Sequence, residues 1–83
     1  MQRKLSIMFL ISGLLAAPVW AFHCPADMQK IDAVLATNPP LSDGQLAKVR
    51  DLRWQGEQYH RAGYHQRSVQ VLGTAMRILN IHR

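Results

Sequence analysis

The chain lacks a second cysteine. Cys24 stands alone among 83 residues, so no internal disulfide can staple the fold, as one commonly does in small exported domains. Other uses of Cys24 remain open. It is a candidate for an intermolecular disulfide with another chain, or it is a small apolar residue on a helix face in line with Met28 and Ile31.

A catalytic set is also missing. No serine lies in a recognisable arrangement with a histidine and an acid, no glycine-rich loop is built to cradle phosphate, and no carboxylates are paired for acid and base work. The expectation is therefore a protein that is not an enzyme and needs no cofactor.

Long apolar runs are absent except at the start. Residues 1–21, MQRKLSIMFLISGLLAAPVWA, place Arg3 and Lys4 before an apolar run over residues 5–17 and end in Val19, Trp20 and Ala21. This is the layout of a secretory signal peptide cut between Ala21 and Phe22. The competing reading is an uncleaved anchor, because residues 5–22 carry no charge and are just long enough to span a bilayer. Ser6, Ser12, Gly13 and Pro18 dilute that run and favour cleavage. The bulky Phe22 and His23 before Cys24 disfavour a lipidated cysteine. Under either reading the basic start stays on the cytoplasmic side and the rest is exported, to a bacterial periplasm or beyond. Contact with a membrane is expected only through the leader before cleavage.

Acidic residues are few, five Asp and Glu against ten Lys and Arg, for a net charge of +5. Part of that excess belongs to the leader: from residue 22 onward, eight Lys and Arg against five acids leave +3. With Asp51 and Glu57 interleaved among the arginines, these charges read as a solvated helix face. Export further argues against nucleic acid as a partner.

What the remaining residues do carry is helical patterning, and the expected fold is all-α: three short helices behind a signal-peptide helix. Residues 22–83 form one small helical domain. In helix one, over residues 22–38, Cys24, Met28, Ile31 and Leu35 fall on one face, Pro25 suits the first helical position and Asp27 the first turn. Asn38, Pro39 and Pro40 stop it, leaving a proline linker over residues 39–41.

Helix two, over residues 42–63, opens with Ser42 and Gln45 as a capping box. It carries Leu46, Val49, Leu52, Gly56 and Tyr59 on one face, and Gly63 serves as its left-handed stop. Arg53, Glu57 and Arg61, four apart, make an ion-pair ladder toward water. In helix three, over residues 64–81, Val69, Leu72, Ala75, Met76 and Leu79 form one apolar face. Val71 and Ile78 form a second flank, so this helix has two neighbours to satisfy.

Residues 49–80 resemble a single tetratricopeptide repeat. Leu52, Gly56, Tyr59, Gly63 and Ala75 stand in register with that family's pattern, with Ser68, Leu72 and Asn80 at its small, aromatic and proline positions. Gln55 and His65 depart from it. The physical sense of the pattern is that Gly56 lets the second helix approach, Tyr59 fills the space beside it and Gly63 makes the turn. The resemblance implies protein or peptide binding, with no catalytic residue. The start Phe22, His23, Cys24, Pro25 is similar to that of small exported proteins.

Three sets of side chains are candidates for function. Trp54, with Arg50 and Arg61 on the same helix, has the make-up of a partner contact, unless helix one packs over it. Val71 and Ile78 are the flank that a second copy of the chain would cover. His23 and Cys24, beside the amine that cleavage frees at Phe22, could hold copper or zinc, with His60 and His65 as further ligands. Against this, both histidines can be ordinary surface residues. The leading expectation is a protein or peptide interaction module that can also self-associate as a homodimer. The alternative is a metal- or redox-responsive exported protein using His23 and Cys24.

Overall fold

The computed structural model describes residues 20–82, and their side chains from residue 23 onward. Residues 1–19 of the expected leader lie outside the described residues. Three α-helices follow in order: α1, Trp20–Leu35; α2, Asp43–Arg61; and α3, His65–Ile78. No strand occurs among the described residues, and none of these helices is long and apolar enough to cross a membrane.

Helix α1 departs from the expected layout at its start. It is already helical at Trp20, which puts Pro25 inside it and Asp27 beyond the first turn. Asp27 is buried at 1% exposure rather than complementing the helix dipole from the first turn, as its spacing after Pro25 leads one to expect. The reason is periodicity: Asp27 is one residue before Met28 and three after Cys24, on the stripe that turns inward. No buried side-chain nitrogen or oxygen among the described residues is left without a partner, as burial of a polar group requires. At its other end α1 stops at Leu35, and Asn38 takes a positive φ of 52° ahead of the two prolines.

Helix α2 opens on the expected capping box. The Gln45 amide donates to Ser42 Oγ at 3.1 Å and the Ser42 amide to Gln45 Oε1 at 3.1 Å, so each residue satisfies a backbone donor that the helix leaves unpaired. The helix closes on a Schellman arrangement, with Tyr64 N–H donating to Tyr59 O and Gly63 N–H to His60 O. Gly63 supplies the left-handed step at φ 87°. Helix α3 ends the same way with Asn80, φ 60°, in the glycine's place; Ile81 N–H reaches Met76 O and Asn80 N–H reaches Arg77 O.

The turn at residues 62–64 folds α3 back along α2, and this pair shares the largest interface. Ser68, fully buried, donates its hydroxyl to Gly56 O at 2.6 Å and ties the two helices where they approach. Helix α1 then lies across the pair, more on α3 than on α2. Cys24, Met28 and Ile31 from α1 join Val49, Leu52, Leu72, Ala75, Met76 and Leu79 in one core. Each large aliphatic side chain buried in it contributes on the order of 1.5–3 kcal/mol. Val71 and Ile78 are half-buried and packed against this same core. Beside α2, α3 has α1 of the same chain as a second neighbour.

Candidate functional site

Two places on this framework gather chemistry-bearing side chains. The first is the junction where all three helices meet. Gly63 reverses the chain so tightly that His60, in the last turn of α2, faces His65, the first residue of α3. Their Nδ1 atoms are 3.2 Å apart and their rings cross at 61°, so one ring donates a hydrogen to the other. Cys24 comes in from α1 beneath them, its thiol directed at His65 O at 3.7 Å.

Ligand atoms of Cys24, His60 and His65 lie within 4.8 Å of one another. Cys24 is fully buried while both histidines are half-buried, so the cluster has a closed floor and an open rim. His23 is exposed on α1 and does not belong to this group of three. His60 and His65 are five residues apart across the turn, and the Schellman geometry makes them neighbours. An intermolecular disulfide through Cys24 has no exposed sulfur to start from, and would require this junction to open.

Beside the junction runs an open groove of about 360 Å³, lined by Met28, Asp32, Arg53, Glu57, His60 and Arg61 among others. Its charges are cross-linked. Arg53 donates Nε and Nη2 to the two oxygens of Asp32 on α1, at 3.0 and 3.1 Å, and Nη1 to Glu57 at 2.6 Å; Arg61 reaches Glu57 at 2.6 Å. The ladder read from the sequence as a solvent face is therefore also the polar seam between α1 and α2. The hydrogen bond to Asp32 is the main cause that raises the Arg53 pKa above its ordinary value. The hydrogen bonds from Arg53 first and Arg61 second hold the Glu57 carboxyl below the usual carboxylate range.

The second place is the outer face of α2. Trp54 and Tyr64 are the two large hydrophobic side chains left exposed among the described residues, each at 61%. Helix α1 does not pack over Trp54. Arg50, one turn before Trp54, and Gln58, one turn after, are exposed on the same face, with Arg61 a further turn on at 71% side-chain exposure. Arg61 is engaged by Glu57, whereas Arg50 makes no ion pair among the described residues. Tyr64 is turned edge-on to Tyr59, over whose ring Arg67 also lies, 6.0 Å from its centre.

Among the described residues these features define an all-α fold in which a helical pair is capped by a third helix, with a Cys-His-His junction at one end of the pair. Residues 22–82 match the PA14_33160 family, and the chain belongs to that family. No curated protein and no solved structure matches it.

Proposed function

We propose that this protein is an exported interaction module in which a tetratricopeptide-like hairpin, α2 and α3 capped by α1, presents the outer face of α2 to a protein partner. The observation that carries this reading is the position of Trp54. The core closes without it, and α1, which could have covered it, lies elsewhere. A tryptophan exposed at 61% beside arginines has the composition of a binding hot spot rather than of a fold determinant.

Charge selects among partners. Arg50 has no counter-ion among the described residues, and the residues from 22 onward are net basic. A second copy of the same face would repel this one, whereas an acidic protein segment with an apolar side chain would be drawn to it. Export to a periplasm, with cleavage between Ala21 and Phe22, rests on the leader's sequence layout.

A photo-crosslinking residue at Gln58 tests this reading in the exported fraction. The expected product contains an acidic protein, weakens with rising salt and disappears in Trp54→Ala while the melting temperature holds. Crosslinking to the chain itself, or a product indifferent to Trp54→Ala, would overturn it.

A further inference from the structure

The interaction reading leaves the helix junction without a role. Three donor atoms of the kinds that bind late first-row metals converge there from three different helices: a thiol from α1, an imidazole from the end of α2 and an imidazole from the start of α3. Ordinary packing explains Cys24, a small apolar residue in a core. It does not require two imidazoles to aim ring nitrogens at each other over the sulfur.

Their spacing suits coordination. Two imidazole nitrogens on one tetrahedral zinc ion, each about 2.0–2.1 Å from the metal, stand about 3.3 Å apart. His60 and His65 hold their Nδ1 atoms at 3.2 Å. A thiolate sulfur at about 2.3 Å from the same ion stands about 3.5 Å from each nitrogen. Since no pair of the three donor atoms is beyond 4.8 Å, Cys24 and the imidazoles need close by little more than about 1 Å.

We infer that Cys24, His60 and His65 form a three-ligand site for a zinc(II) or copper(I) ion. Both ions are d10, take thiolate and imidazole together and accept three protein donors. On binding, the thiol releases its proton to water and each imidazole coordinates in its neutral form. The half-buried histidines leave one side of the ion facing solvent and the adjoining groove, so copper(I) is complete with three ligands and zinc(II) retains a water. A site with an open position exchanges its metal more readily than a closed four-ligand one. The expected behaviour is reversible loading rather than permanent structural binding. Met28, one turn beyond Cys24 on α1, lines the groove with His60.

This site is independent of the Trp54 face and stands or falls by its own test. The full chain is titrated with zinc(II), and separately with copper(I) under reducing conditions, against a chromophoric chelator, and bound metal is counted after desalting. One ion per chain is expected for at least one of the two metals. His60→Gln and His65→Gln, both at half-buried positions, are expected to weaken binding by about 100-fold or more, because losing even an outer-shell partner costs about 10- to 100-fold. His23→Gln is expected to change nothing.

Cobalt(II), as a spectroscopic stand-in for zinc, is expected to show a thiolate charge-transfer band that Cys24→Ser abolishes. Melting curves of the metal-free variants establish that each is folded before it is scored. Retention of neither metal, absence of the band, or loss of affinity in His23→Gln with His65→Gln unaffected would each overturn the assignment.

Discussion

The Cα of Gly56 faces Leu72 so closely that a Cβ added at residue 56 would stand 2.4 Å from Leu72 Cδ2 and 2.5 Å from its Cγ. Cγ is the branch point of a fully buried side chain, so it cannot swing aside as a flexible tip would. Gly56→Ala gains about 1 kcal/mol in helix propensity, but the overpacking it forces costs about 1–3 kcal/mol. The clash is close enough to place the cost at the upper end. A net loss of about 1–2 kcal/mol is expected, visible as a fall in Tm of at least about 4 °C. An unchanged Tm would show that the approach of α2 and α3 does not depend on the missing side chain.

Gly63 poses the opposite case. Nothing lies within 4 Å of a Cβ built there, yet its φ is 87°. The cost of Gly63→Ala is then one of backbone conformation alone, about 1–2 kcal/mol. Gly63→Asn is expected to cost less, since asparagine tolerates the left-handed region, as Asn38 and Asn80 do in this chain. Thermal melts of the two variants check the order. If alanine were as stable as asparagine, the turn would not be held in this conformation. The same pair of variants reads the junction, because a relaxed turn separates His60 from His65.

Acid should loosen the seam between α1 and α2. The carboxyl of Glu57 is held below its ordinary pKa in the folded chain by Arg53 and then Arg61. A depressed carboxylate contributes stability that is fully present above its unfolded pKa, about 4.3, and is lost as pH falls through the lower folded value. In Glu57→Gln that contribution is missing at every pH. Its Tm should fall below the parent's near pH 7 and converge with it as pH drops well below 4. Parallel curves that never converge would remove Glu57 as a source of the acid response. The size of the effect is modest, because these pairs are on the surface and screened by salt.

How much of this was legible in the sequence depends on the range of the interaction. The Ser42 and Gln45 box, the stop at Gly63 and the apolar faces carrying Val49 and Leu52 on α2 and Leu72 and Met76 on α3 are fixed by residues a turn or so apart, and periodicity and capping rules reach that far. The bond from Ser68 to Gly56 and the pairing of Arg53 with Asp32 span 12 and 21 positions. They exist only because two helices pack at one register, which no local pattern specifies. The junction lies between these cases. All three of its residues are candidates in the sequence, where His23 and the amine expected at Phe22 stand next to Cys24. On a helix, adjacent side chains point about 100° apart. The turn that brings His60 and His65 together delivers them instead to the buried side, where Cys24 already is.

Pro25 has a consequence for the processing proposed here. In the chain as described, α1 is already helical at Trp20, so Pro25 sits where a backbone donor is wanted and its ring crowds the turn before it. A cut between Ala21 and Phe22 would make Pro25 the fourth residue of the new terminus. The first four amides of any helix have no partner within it, so the donor that proline lacks would no longer be missed. The same residue would be a defect in the precursor and a neutral beginning in the product, and removal of the leader would relieve α1 of its one internal irregularity.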